Sequence, residues 1–178
     1  AICMSPKPNL PPVQSIESFS SPADHVPVLL NEVIAALLSM ESRSAPTERG
    51  SRTLVDGTFG RGGHSRHLLQ RLSASDRLLA IDRDPDARSA ANLIAAKDQR
   101  FTFTQARFPE LGKVLAQRDI EHVDGILLDL GVSSPQLDRA DRGFSSNADG
   151  PLDMRMNPAE GQSAADWLNT AQESDIAN

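Results

Sequence analysis

The fold of this chain is decided by one stretch, Thr53-Leu54-Val55-Asp56-Gly57-Thr58-Phe59-Gly60-Arg61-Gly62-Gly63-His64. It joins a short apolar run that ends in a carboxylate to four glycines within seven positions, and then to a helical pattern. Glycines let the backbone approach a ligand closely, and the free N–H groups of a helix N-terminus attract a phosphate or a carboxylate. The stretch therefore predicts a strand, a ligand-binding turn and a helix, with a merely flexible turn as the alternative.

The residues on both sides continue this alternation of strands and helices. An amphipathic helix is predicted from Pro27, and a polar connection at 39–51 follows it. Further strands are predicted at 78–82, 101–104 and 125–129, and helices at 64–72, 85–95 and 109–117. This spacing predicts an α/β fold with a doubly wound, Rossmann-like parallel sheet.

The regular alternation of strand and helix patterns ends after residue 129. Residues 131–163 carry glycines and prolines without sustained periodicity, and only 163–177 has a helical pattern again. An irregular stretch of about 30 residues inside a compact domain is uncommon unless it is functional. We therefore expect it to form part of a site and to begin an inserted helical region.

Composition excludes several classes of protein. The 178 residues are 39% hydrophobic and 24% charged, without an apolar run near the roughly 20 residues that span a bilayer, so no membrane partner is expected. Cys3 is the only cysteine, which argues against disulfides or a cysteine zinc site and favours a reducing, cytoplasmic setting. Aromatic residues are 4% of the chain and its net charge is -6, so any nucleic-acid role must rest on a local arginine patch.

Arginines of the irregular stretch are candidates for that patch. Arg139, Arg142 and Arg155 either meet RNA phosphates or pair with neighbouring carboxylates in a solvated network. The carboxylates available for such a network are Asp138, Asp141 and Asp153.

Acidic residues end three of the predicted strands. Asp82 lies 26 residues beyond Asp56, about where dinucleotide folds place the acid that binds ribose hydroxyls; a helix cap or an Arg83 partner is the alternative. Because ligands bind at the carboxyl ends of parallel strands, we expect Asp56, Asp82 and Asp129 to converge on one crevice. A ligand with a cationic centre would offset their mutual repulsion.

The glycine turn departs from two nucleotide-binding fingerprints. Gly60 and Gly62 fit the dinucleotide pattern, but Ser65 stands where glycine or alanine is expected, which disfavours NAD. A Walker loop is excluded because no lysine followed by serine or threonine closes the turn. A nucleoside whose other end is an amino-acid carboxylate suits the pattern better, and S-adenosylmethionine has that shape.

The histidines do not predict a metal site. His64 and His67 are three positions apart, but no third ligand is suggested by the spacing. His25 and His122 are expected to be surface or capping residues.

Six motifs make a family resemblance visible. They are HVPVLL at 25–30, DGTFGRGGHS at 56–65, AIDRDP at 80–85, DGILLDLGVSSPQLD at 124–138, RGFS at 142–145 and DGPLDMRM at 149–156. From about residue 25 to its end, the chain resembles the ribosomal RNA small subunit methyltransferase H family, also called MraW. The resemblance implies a class I S-adenosylmethionine-dependent methyltransferase that modifies the N4 amine of a cytidine in the decoding region of 16S ribosomal RNA.

The resemblance also implies residue roles. Cofactor contacts are carried over to Gly62, Gly63, His64, Asp82, Phe108, Asp129 and Gln136. Phe108 follows the third predicted strand, where an apolar ring can lie against adenine. For catalysis, Asp129 or an oxygen of the Ser133-Ser134-Pro135 turn would accept a hydrogen bond from the cytidine amine, unless Asp129 binds the cofactor alone.

Three segments follow from composition and resemblance together. Residues 1–24, rich in proline and serine, are expected to be a disordered leader. Residues 25–137 would be the N-terminal half of the cofactor-binding domain, with a sheet truncated at four strands. Residues 138–178 would begin an inserted helical substrate domain that is cut at Asn178, so we expect this chain alone not to methylate RNA.

Two other functions and two partners stay open at this point. A noncatalytic nucleoside-binding module and a nicotinamide-binding oxidoreductase are the alternatives to a methyltransferase. The expected partner is the small ribosomal subunit with its 16S RNA, and a homodimer is left open.

Overall fold

A parallel four-stranded sheet forms the centre of the computed structural model, which describes residues 27–39 and 51–177. The strands are β1 (Thr53–Asp56), β2 (Arg77–Asp82), β3 (Phe101–Gln105) and β4 (Gly125–Leu127), in the spatial order β3-β2-β1-β4. This order confirms the α/β class and the Rossmann-like sheet. The predicted leader, His25 and most of the connection at 39–51 lie outside the described residues.

Short helices flank the sheet. Those before and between the strands are α1 (Leu30–Ser39), α2 (Gly63–Leu69), α3 (Ala87–Ala95) and α4 (Leu111–Ala116), with a 3-10 turn at Phe108–Glu110. After β4 follow α5 (Ser134–Asp138), a 3-10 turn at Ala140–Arg142, α6 (Ala164–Thr170) and α7 (Glu173–Ala177). Among the helices of the described ranges, none is both long and apolar enough to cross a bilayer.

Alternation along the strands divides the core into two layers. Leu54, Leu78 and Ala80 face a cluster formed with α1, α2 and α3, because successive strand residues point to opposite faces. Val55, Leu79 and Ile81 face the other side and pack with Val114 of α4 and its neighbours. Burial on both faces explains why β2 is an almost continuous apolar run.

The chain after β3 differs most from the sequence predictions. β4 ends at Leu127 rather than at 129, so Asp129 lies in irregular backbone beyond the strand. The helix predicted at 163–177 is divided in two because Ala171 is extended (φ -68°, ψ 149°). The stretch expected to be irregular contains α5, whose five residues are too few to show an apolar period.

The strand order creates the place for a ligand. β2 and then β3 lie on one side of β1, whereas β4 pairs with its other side, from Leu54↔Gly125 to Asp56↔Leu127. Connections that leave neighbouring strands in opposite directions open a crevice at their carboxyl ends. The glycine turn after β1 and the segment after β4 meet at this crevice.

Candidate active site

A cavity of about 1070 Å³ lies at the carboxyl ends of the strands. It is lined by the glycine turn, the residues that follow β2, Phe108 and the segment 129–136. Of the seven residues to which the family resemblance gives cofactor contacts, six line this cavity: Gly63, His64, Asp82, Phe108, Asp129 and Gln136.

The glycine turn is fixed by backbone hydrogen bonds to two neighbouring strands. The Gly57 N–H donates to the Leu127 carbonyl at 2.8 Å, and the Phe59 N–H donates to the Ile81 carbonyl at 3.1 Å. The buried Phe59 ring lies 5.6 and 5.4 Å, centroid to centroid, from the rings of Phe101 and Phe103. The turn is thus anchored in the core, which argues against the alternative of a merely flexible connection.

Gly62 faces the core instead of the cavity. Its φ of +77° lies in the left-handed region, and an added Cβ would come within 2.7 Å of the Phe59 ring and 2.9 Å of Ile94 Cδ1. Its N–H is already used, donating to the Phe59 carbonyl at 2.7 Å. Gly60 and Gly63 line the cavity in its place. The need for glycine at 62 therefore comes from the packing of the turn.

Asp56 does not join the crevice, and this part of the sequence prediction is wrong. Its side chain is 1% exposed and accepts hydrogen bonds from Ser65 Oγ at 2.6 Å and from the Thr58 N–H at 3.2 Å. Burial raises the pKa of Asp56 to about 6, against the lowering effect of these two hydrogen bonds. Asp56 and Ser65 together tie the end of β1 to α2, which explains the serine where a dinucleotide turn has glycine or alanine.

Asp82 holds the turn and also lines the cavity. Its Oδ2 accepts from the Gly60 N–H at 2.7 Å, and its Oδ1 accepts from the Asp84 N–H at 2.9 Å. Partial burial raises the pKa of its carboxyl group, against the lowering effect of these backbone bonds. A carboxylate has about four acceptor positions, so each oxygen can accept a further bond from a ligand hydroxyl. The bonds that hold the turn are therefore compatible with the ribose-binding role, whereas the helix-cap alternative is wrong because the N-cap of α3 is Asp86.

His64 and Asp129 lie next to each other in the lining of the cavity. The distance from His64 Nδ1 to Asp129 Oδ2 is 3.8 Å, and the Asp129 side chain is 55% exposed. The Asp129 N–H donates to Thr58 Oγ1 at 2.7 Å, which fixes the backbone of Asp129 to the glycine turn. The buried His64 Nε2 has no hydrogen-bond partner among the described residues. Asp129 thus presents a carboxylate to the cavity from a fixed backbone.

Phe108 is placed as an aromatic wall. The residue is 47% exposed, although it lies beside the end of β3 and lines the cavity. An exposed ring in such a position offers a face to a planar ligand group.

Gln136 links two segments of the chain through side-chain hydrogen bonds. Its Nε2 donates to Asp84 Oδ2 at 2.6 Å, and its Oε1 accepts from the Ser133 N–H at 2.9 Å. The buried side chain therefore joins the start of α5 to the loop after β2. Ser133, Ser134 and Pro135, the alternative acceptors for a substrate amine, also line the cavity.

Arg142 and Asp84 form a buried ion pair that the sequence analysis did not foresee. Arg142 Nη2 lies 3.1 Å from Asp84 Oδ2 and donates to the Met156 carbonyl at 2.9 Å, while Nη1 reaches Asp86 Oδ2 at 2.9 Å. The side chains of Arg142 and Asp84 are 5% and 8% exposed. Asp84 follows Asp82, the predicted ribose-binding residue, by two positions. No local sequence pattern indicates that Asp84 is buried.

The arginines proposed for an RNA patch are thus paired with acids. Arg139 bridges Asp86 at 2.7 Å and Asp141 at 2.6 Å, and Arg155 pairs with Asp153 at 2.6 Å. The solvated network is confirmed for Arg139 and Arg155, whereas Arg142 pairs in the interior of the protein. The partners of these arginines differ in part from those expected, because Asp84 and Asp86 take part.

Two smaller predictions concern histidines and metals. His122 is exposed, as expected of a surface residue. Within the described ranges, no group of three or more His, Cys, Asp or Glu residues could hold a metal ion.

A comparison with protein families gives an independent finding. A family model described as the MraW methylase family matches residues 22–178. The matched region includes the glycine turn, Asp82 and the whole cavity segment 129–136.

Proposed function

Because this chain belongs to the MraW methylase family, we propose that it methylates the N4 amine of a cytidine in 16S ribosomal RNA. Membership implies a methyltransferase that uses S-adenosylmethionine, and the nucleobase and the RNA are the proposed part. The observation that carries the proposal is one cavity lined by Asp82, Phe108 and Asp129. These residues offer an acceptor for sugar hydroxyls, an aromatic face and a second carboxylate.

The cavity suits S-adenosylmethionine in chemistry and in size. Asp82 would bind the ribose hydroxyls, and Phe108 would lie against the adenine. At the start of α2, the first N–H groups have no partner within the helix, so those of Gly63 and His64 are available to the amino-acid carboxylate. The volume of about 1070 Å³ exceeds what one drug-sized ligand commonly fills, which leaves room for a nucleobase.

When bound, S-adenosylmethionine supplies an electrophilic methyl group attached to a sulfonium. Cytosine N4 is a weak nucleophile because its lone pair is delocalised into the ring. Asp129 would accept a hydrogen bond from the amine, which localises the lone pair, orients it, and gives the departing proton an acceptor. An oxygen in the Ser133-Ser134-Pro135 turn is the alternative acceptor.

The substrate must present its base outside a stack. A cavity at the carboxyl ends of the strands cannot reach a base inside a duplex, so the target cytidine must be unpaired or flipped out of its helix. A small ribosomal subunit with an accessible cytidine is the substrate that meets this requirement.

Product analysis tests the proposal directly. Small ribosomal subunits are incubated with tritiated S-adenosylmethionine and with a version of the chain that is extended through the further strands implied by the family resemblance; the variants below are made in this version. The RNA is then digested to nucleosides. We expect label in N4-methylcytidine, lost in Asp129→Asn and kept in the matched variant Asp175→Asn, an exposed residue that does not line the cavity. Label in another nucleoside, or full activity of Asp129→Asn, would contradict the assignment.

A further inference from the structure

Helix α2 has one buried face and one basic face. His64, Ser65, Leu68 and Leu69 are buried against the sheet. Arg66 and His67 are partly exposed on the opposite side of α2, and Gln70 and Arg71, which follow the end of the helix, are exposed. We call Arg61, Arg66, His67 and Arg71 the basic face.

The charge of this region is opposite to that of the chain. Residues 57–75 contain three arginines, two histidines and no acidic residue, whereas the net charge of the chain is -6. Such a local cluster is what phosphate binding requires in an otherwise acidic protein.

The arginines of the basic face are not neutralised. In the part of the chain that the structure describes, neither Arg61 nor Arg66 forms an ion pair, and the guanidinium of Arg71 reaches only the His67 carbonyl at 3.4 Å. By contrast, Arg139, Arg142 and Arg155 are paired with carboxylates. Free guanidinium groups retain their full capacity for phosphate oxygens.

The basic face borders the cavity. Arg61, Arg66 and His67 line it together with Asp82 and Asp129. A nucleotide offers a base amine to the carboxylates and backbone phosphates to the arginines. A polynucleotide chain can therefore use both groups of side chains at once.

We propose that the basic face binds the phosphates of the RNA strand next to the methylated nucleotide. This inference rests on the proposed function and adds where the RNA backbone is held. Binding here is electrostatic and independent of sequence, since phosphates carry no base identity. It brings RNA to the cavity in spite of the negative net charge.

The cofactor carboxylate is the competing occupant for these arginines. Arg61 lies within the glycine turn, close to the N–H groups assigned to that carboxylate. Arg66 lies on the exposed side of α2 and Arg71 lies just beyond the end of the helix, so they distinguish the two occupants better and are the residues to change.

The test measures RNA binding as a function of salt. The chain is titrated into a fluorescein-labelled, single-stranded RNA of 20 cytidines, and anisotropy is followed between about 20 and 200 mM salt, where counterion release is well resolved. The variants are Arg66→Gln, Arg71→Gln and the double variant, because glutamine keeps helix propensity while removing the charge. Arg77→Gln is the matched control, since Arg77 is exposed at the start of β2, at the opposite end of the strands from the cavity.

The expected result is a change in the salt slope as well as in affinity. For a single strand, each lost phosphate contact makes the negative slope of log K against log salt shallower by about 0.7, so the slope of the double variant should be shallower by about 1.4. Arg77→Gln keeps the slope of the unchanged chain. Calorimetry with S-adenosylhomocysteine, run on every variant, gives unchanged cofactor affinity.

Three outcomes overturn the proposal. They are an unchanged slope in the double variant, an equal loss in Arg77→Gln, and a parallel loss of S-adenosylhomocysteine binding, which assigns the arginines to the cofactor. Absence of RNA binding by the unchanged chain overturns it as well. Failure of the proposed function can be told apart from failure of this proposal. It would appear in calorimetry as no S-adenosylhomocysteine binding by the unchanged chain, or in product analysis as label in a nucleoside other than N4-methylcytidine.

Discussion

Replacing Arg142 by methionine should destabilise the fold strongly, although Arg142 is a charged residue at the end of a short 3-10 turn. The guanidinium is buried between the loop after β2 and residues 155–156, where it pairs with Asp84. Methionine fills a similar volume without a charge. The variant therefore leaves the Asp84 carboxylate buried without its cation.

The magnitude follows from the partners that remain. Breaking a buried ion pair by removing one member costs about 3–5 kcal/mol. Asp84 still accepts from Gln136 Nε2 at 2.6 Å, so we expect the lower end, about 3 kcal/mol. For a chain of this size, that loss lowers the Tm by about 6–12 °C.

Urea unfolding followed by circular dichroism measures this loss. Arg139→Met is the matched control, because Arg139 is also paired with Asp86 but is exposed, and solvent screening makes its loss much smaller. The double variant Asp84→Asn with Arg142→Met should recover part of the stability, since no buried charge is left unpaired. A loss below about 1 kcal/mol for Arg142→Met, the range of a surface pair, would refute the reasoning.

Three further predictions concern the turn and its surroundings. Gly62→Ala should lower the free energy of unfolding in urea by about 2 kcal/mol or more, because a φ of +77° is strained for alanine and the added Cβ meets the Phe59 ring. Gly112→Ala is the control, since a Cβ there has open space and should not destabilise the fold. Equal effects of the two substitutions would contradict this. The folded pKa of Asp56, about 6, exceeds its ordinary 3.8, so the folded state is stabilised at low pH and this stability is lost as pH rises. The unchanged chain should therefore lose up to about 3 kcal/mol relative to Asp56→Asn between pH 4 and pH 7 in urea unfolding, and parallel stability curves would contradict this. Phe108→Ala should weaken S-adenosylhomocysteine binding in calorimetry by about 1–3 kcal/mol, or roughly 5- to 150-fold, because the ring stacks on the adenine. An unchanged dissociation constant would show that it does not.

The sheet could be predicted from sequence because its signals are local. An apolar run such as 78–82, bounded by polar residues and followed by a helical pattern, identifies a buried parallel strand. The carboxyl-end rule then places Asp82 at the crevice without any knowledge of distant contacts. Strand ends are less determined by local signals, so the apolar run predicts a β4 that is two residues longer than the strand in the structure.

The parts that sequence reasoning missed depend on contacts between distant residues. Asp56 ends a strand as Asp82 does, but only the hydrogen bond from Ser65, nine residues later, explains why it is buried beneath the turn. Arg142 lies 58 residues from Asp84, and charge alone does not distinguish a buried partner from a solvated one. Similarly, the requirement for glycine at 62 comes from the ring of Phe59, which folds back under the turn.

Calorimetric titration of the chain with S-adenosylhomocysteine tests most directly whether this cavity binds S-adenosylmethionine through Asp82. We predict binding of S-adenosylhomocysteine and none of NAD. Asp82→Asn should weaken the binding by about 1.5–3 kcal/mol, roughly 10- to 150-fold, while Asp175→Asn leaves it unchanged. Binding of NAD without S-adenosylhomocysteine, or an unaltered dissociation constant in a folded Asp82→Asn variant, would contradict the account.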